Sequence, residues 1–271
     1  MWTRAELKSN AKLALKANYW YAVLVCFIIG LLAGGSGGGG GSASSNSDIT
    51  DSVDSIRNSS SGIDKEIVPI ILGIVLVVFS IMAIAIVIST LFTVFVTNPV
   101  MVGAQRFFVK CGFVNKKPDI KDLGYAFGKN KYKTIVLGMF LKGLFQSLWG
   151  LLFIIPGIIK GYEYRMIPYL LAENPEMSYK EAFEASKIMM DGEKWNAFVL
   201  DLSFIGWGIL SFFTCFLLSI FYVSPYQYLT NAQLYIVLRK KLEANGGTAR
   251  YGLVEYSEEP APETYNYDHN F

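Results

Sequence analysis

The sequence predicts an all-α integral membrane protein: a six-helix bundle with two helical hairpins in its C-terminal half and amphipathic helices at the interface. Four transmembrane helices are the alternative count. Three observations point this way. Of the 271 residues, 52% are hydrophobic and 17% charged, against about 25% charged in an average soluble domain. Apolar runs long enough to span a bilayer recur along the chain. Nineteen of the 24 Lys and Arg residues lie in four stretches that alternate with those runs, the asymmetry of a positive-inside membrane protein.

Other classes find little support. A net charge of +2 is too small to argue for nucleic acid. Cys26, Cys111 and Cys215 show no disulfide or metal-ligand spacing, and His269 is the only histidine. No metal and no cofactor is expected.

Residues 1–17 read as an amphipathic helix. Thr3 and Glu6 have capping-box spacing, Lys8, Lys12 and Lys16 recur every four residues, and Leu7, Ala11, Ala14 and Leu15 form the other face. Such a helix is expected on an anionic lipid surface. The membrane domain then covers 18–246, with a first span over about 19–34. That run resembles a signal-peptide core, but no small-residue cleavage pattern follows it. Residues 35–66, GSGGGGGSASSNSDITDSVDSIRNSSSGIDKE, have the composition of a disordered coil, and their acidic excess suits an outer loop.

The run 67–97 is the longest uninterrupted apolar segment. Residues 98–133 carry Arg106, Lys110, Lys116, Lys117, Lys121, Lys129, Lys131 and Lys133 against Asp119 and Asp122, which places them on the cytoplasmic side. The interleaved aromatics are those of an interfacial segment beside headgroups.

Thr134 to Ala172 is nearly continuously apolar, about 58 Å as straight helix against about 30 Å of hydrocarbon. It is therefore expected to fold into a hairpin near Trp149–Gly150, with spans over 134–149 and 151–172. A second hairpin uses 196–223 and a short last span, 225–238, broken at Ser224–Tyr226. Between the hairpins, Ser178 and Glu181 open an amphipathic helix. Residues 247–271 read as a disordered cytoplasmic tail. Both termini are thus cytoplasmic.

Charges inside these spans are the candidate functional residues. Lys142, Lys160, Glu163, Arg165 and Asp201 are expected to form an intramembrane polar network, since an unpaired charge is costly in hydrocarbon. Lys142 and Glu163 have matched depths and are expected to pair across the first hairpin; Arg165 lies near the level of Asp201. Pro156, Gly157 and Pro168 are expected to kink the second arm, freeing carbonyls that neighbours re-satisfy. This network reads either as helix packing or as a pathway for a small solute.

The stretch LWGLLFIIPGIIKGYEYRMIPYLLAENPEMSYKEAFEASKIMMDGEKW, followed by LSFIGW and SPYQYLTNAQLY, resembles the bacterial membrane family known as domain of unknown function 975. The resemblance covers almost the whole chain before the tail. More distantly, the IPG, the acidic-proline turn and the EA…S…M.G helix resemble the membrane domain of some glycerophosphodiester phosphodiesterases. It implies a six-helix bacterial inner-membrane bundle and carries no activity.

No nucleophile–base pair or facing intramembrane carboxylates support catalysis. The expectation is a non-enzymatic multi-pass scaffold or accessory protein of the inner membrane, with anionic lipids among its contacts and its protein partners unknown. The alternative is a small-solute or lipid permease or exporter with a polar intramembrane cavity, although no clear internal repeat supports that architecture.

Overall fold

The computed structural model describes residues 2–32, 67–113, 118–128, 131–214, 216–244 and 246–253. The loop expected at 35–66 and the tail beyond 253 lie outside the described residues. The chain divides into two units, residues 39–93 and the remainder.

In the smaller unit, helix α3 (Ile67–Phe92) is apolar all round, and its described side chains from Leu72 onward are exposed. Its hydroxyls turn back on their own helix: Ser80 and Thr90 donate to the carbonyls of Leu76 and Ile86, and Thr93 to that of Ser89. A helix in hydrocarbon needs that self-sufficiency, because lipid offers no acceptor.

The larger unit is built around α11 (Ser224–Ala244). Most of this helix from Pro225 to Leu242 is buried, and it is too polar to rank among the candidate spans. It is the packing axis of this unit, over the stretch where a short last span is expected at 225–238. Helix α1 (Arg4–Ala17) packs along it and buries Leu7, Ala11, Ala14 and Leu15. The Thr3 hydroxyl accepts from the Glu6 N–H and starts that helix. The apolar face expected to meet lipid therefore meets protein, and the exposed face of Arg4, Lys12 and Lys16 remains outward. Helix α2 (Tyr19–Leu32) leaves α1 at 98°.

Helix α4 (Asn98–Cys111) follows a π-helical turn at Thr93–Thr97 and packs on a 3-10 helix, Ile120–Phe127. Their approach is close enough that a Cβ on Gly103 would lie 2.5 Å from the Asp122 and Leu123 carbonyl oxygens, so only glycine fits.

The first hairpin joins α5 (Tyr132–Leu152) to α6 (Ile154–Glu163), turning at extended Phe153, three residues beyond the expected Trp149–Gly150. A Cβ on Gly157 would sit 2.7 Å from the Gly150 Cα, so the two arms touch backbone to backbone near the turn. The return arm is not one helix across 151–172. It stops at Glu163, and α7 (Ile167–Glu173) begins after a turn. Pro168 sits in the first turn of α7, where its missing N–H is harmless; in a continuous helix its ring would clash with the Tyr164 carbonyl. Pro156 likewise lies in the first turn of α6. The expected kinks at Pro156, Gly157 and Pro168 are instead two helix starts and one close contact.

Helix α8 (Tyr179–Met190) has the full Ser178–Glu181 capping box and buries Ala182, Ala185, Ser186, Met189 and Met190 against the protein. Helices α9 (Lys194–Leu202) and α10 (Ile205–Phe213) form the outgoing arm of the second hairpin. The chain has reversed by Phe216, whose φ is 62°, ahead of the break expected at Ser224–Tyr226. It returns through a π-helical turn, Ser219–Val223, into α11. Residues 247–253, expected in the disordered tail, include α12 (Gly247–Arg250) and bury Tyr251 and Leu253.

Among the described residues, three helical segments are long and apolar enough to cross a membrane: Leu72–Cys111, Tyr132–Leu152 and Lys194–Phe213. A fourth is reached if the bent pair α1–α2 is one span. By length and composition the described residues thus give three or four candidate spans where six are expected, since α6 and α7 are separate short helices and α11 is too polar to count.

Candidate functional site

The breaks between helices gather the charges. Arg165 occupies the turn between α6 and α7, and its guanidinium grips Asp201 of α9 with two bonds of 2.7 and 2.8 Å. The Tyr162 hydroxyl donates to the same carboxylate at 2.8 Å, and Arg165 reaches Asn231 of α11 at 2.7 Å. One bidentate pair thus ties both hairpins to the central helix.

Glu163, the last residue of α6, is buried and takes one ammonium on each oxygen: Lys160 on Oε1 and Lys194 on Oε2, both at 2.8 Å. Its backbone carbonyl accepts from the Ser186 hydroxyl at 2.6 Å, and the Ser186 oxygen accepts from the Met166 N–H at 3.3 Å. Ser186 of α8 therefore satisfies the backbone that the α6–α7 break leaves open.

Lys142 is placed differently from expectation. It makes no ion pair with Glu163, whose oxygens are both occupied, and no salt bridge to Lys142 is present among the described residues. It is half-buried on α5.

Two further clusters escaped the sequence reading. Glu173, at the end of α7, accepts from Arg239 through Nε and Nη2 and from the Tyr235 hydroxyl at 2.6 Å, all buried. Arg239 also donates to the Leu253 carbonyl at 2.9 Å, and Asn174 donates to the Tyr251 carbonyl at 2.9 Å, which docks residues 247–253. The available signal was Tyr235 and Arg239 one turn apart on one face. Near α4, Asp122 takes Lys110 at 2.7 Å and Arg106 at 3.4 Å, while Arg106 stacks over Tyr125 at 3.8 Å and donates to the Ala172 carbonyl.

A repeated motif also becomes visible. TVFVTNP at 93–99 and SIFYVSP at 219–225 each form a π turn ahead of a proline. Proline cannot bond the carbonyl four residues back, here Phe95 or Phe221. Each of those carbonyls accepts from a tyrosine on another helix, Tyr132 at 2.8 Å and Tyr19 at 3.1 Å. The shared device is short enough to have passed as chance in the sequence.

Outside the spans, burial together with the Lys12 and Arg4 charges holds the Lys8 ammonium below the ordinary lysine value. It sits over the Phe204 ring at 4.7 Å. Among the described residues, no three His, Cys, Asp or Glu side chains approach closely enough to hold a metal.

Residues 151–242 match the family described as protein of unknown function, DUF975. The DUF975 segment holds Lys160, Glu163, Arg165, Glu173, Lys194, Asp201, Asn231 and Arg239, and excludes Lys142 and the Arg106–Asp122 cluster. It is shorter than the almost whole-chain resemblance expected. No curated protein and no solved structure matches the chain.

Proposed function

We propose that this protein is a non-enzymatic scaffold or accessory component of a bacterial cytoplasmic membrane, with both termini on the cytoplasmic side. The observation that carries this reading is the consumption of polar groups within the fold. Asp201 receives bonds from Arg165 and Tyr162, and Glu163 has an ammonium on each oxygen. A carboxylate so occupied holds helices together and has little capacity left to relay a proton or bind a cation. The exposed Arg4, Lys12 and Lys16 of α1 offer anionic lipids a surface.

A thermal-shift screen of purified protein against soluble metabolites tests this. No metabolite should raise the melting temperature; a solute-specific rise accompanied by uptake into proteoliposomes would replace the scaffold by a permease. Orientation is tested separately with single cysteines at Ser44 and Lys117 in a chain otherwise free of cysteine. An impermeant reagent on whole cells should label the Ser44→Cys protein and leave the Lys117→Cys protein unlabelled.

A further inference from the structure

The cations and carboxylates around the α6–α7 break do not balance. Arg165 grips Asp201, Lys160 and Lys194 flank Glu163, and Lys142 lies on the stripe of α5 that meets α6 and α7. All four carboxylate oxygens are engaged, each by one of the other three cations. Lys142 is left with its ammonium donors unused among the described residues.

Its location follows from its neighbours on α5. One turn before it, a Cβ on Gly138 would meet the Leu171 side chain of α7 at 2.9 Å. One turn after it, the Gln146 amide lies 3.2 Å from the Cβ position of Gly161 on α6. Lys142 shares that stripe and so is aimed at the α6–α7 break that Arg165 occupies. It is half-buried rather than sealed, and Leu137, Phe140 and Leu144 expose apolar surface on the adjoining face. The exposed apolar part of α5 begins at Leu137, about 8 Å along the axis from Lys142, within reach of a snorkelling side chain.

We propose that Lys142, on the α5 stripe facing the α6–α7 break, is a binding site for a phosphate group carried by an anionic lipid. An ammonium is a compact phosphate-binding point charge. A cation without a counter-ion in apolar surroundings is costly, and a monovalent phosphodiester supplies the missing negative charge. A free phosphate offers the same chemistry from the aqueous side. The site stands whether the protein acts as scaffold or permease.

The full-length protein in nanodiscs of phosphatidylcholine, with or without phosphatidylglycerol, tests the site by melting temperature and by native mass spectrometry of retained lipid. Phosphatidylglycerol should stabilise the wild type, and Lys142→Arg should keep that response. Lys142→Gln and Lys142→Met should bind it about tenfold or more weakly, while Lys187→Gln on the exposed face of α8 should leave it unchanged. Inorganic phosphate added to phosphatidylcholine discs identifies the source. No response there leaves the lipid as ligand; a Lys142-dependent response to phosphate with none to phosphatidylglycerol would overturn the lipid assignment in favour of the soluble anion. Equal binding by wild type and both neutral variants, or a wild type that answers neither probe, overturns the site.

Discussion

Two guanidinium–carboxylate pairs hold this protein together in unlike surroundings. Arg239–Glu173 lies among α7, α11 and the docked 247–253 segment, its side chains 4% and 1% exposed. Arg165–Asp201 joins the two hairpins with its side chains 16% and 30% exposed. The first pair is enclosed by protein, with its partners supplied by α7, α11 and the docked segment. The second opens toward its surroundings and has a surplus lysine beside it. The difference teaches that one chemical pair serves as a sealed clasp where protein surrounds it, and as part of a charged, accessible layer where helices separate.

Breaking the sealed clasp should have the largest effect. Arg239→Met leaves Glu173 charged and enclosed, and should cost about 3–5 kcal/mol, with Arg239→Met/Glu173→Gln recovering much of it. Melting in detergent measures both. If the single change is as mild as the double, Glu173 has access to water and the contrast collapses.

Opening the hairpin layer should cost less. Asp201→Asn keeps the shape while removing the charge opposite Arg165, and should destabilise by about 1–3 kcal/mol, because solvent or headgroups partly replace the lost carboxylate. A loss equal to that of Arg239→Met would show the two pairs to be equally enclosed.

The smallest expected quantity is a coupling. Lys142→Met and Glu163→Gln should be additive to within about 0.5 kcal/mol in a double-mutant cycle, since their side chains have no bond between them. By contrast, Lys194→Met with Glu163→Gln should show positive coupling. A coupling for Lys142 and Glu163 well above that margin would restore the pairing that their matched depth suggests.

The legibility of the charged layer was uneven for a physical reason. That Lys142, Lys160, Glu163, Arg165 and Asp201 stand out among apolar neighbours is a property of composition along the chain. Which of them meet depends on where helices end, and α6 ends at Glu163 because Pro168 cannot continue it. A depth count assumes an unbroken helix over 151–172; it sets Arg165 near Asp201, which the structure keeps, but the break turns Glu163 to Lys194 and away from Lys142. Glu173 and Arg239 stayed hidden because nothing local separates a charge at a helix end exposed to water from one enclosed by a distant segment.

What the sequence alone determined about this protein is its helical class, its apolar runs, the caps at Thr3 and Ser178 and the positive asymmetry of its connecting segments. These follow from short-range periodicity and from the cost of placing polar backbone and charge in hydrocarbon. Tertiary structure alone decided that α1 lays its apolar face on α11 rather than on lipid, that α11 is an enclosed axis, and that residues 247–253 dock beside Arg239. An apolar stripe reports only that something must cover it; whether lipid or protein does so depends on contacts between segments more than two hundred residues apart.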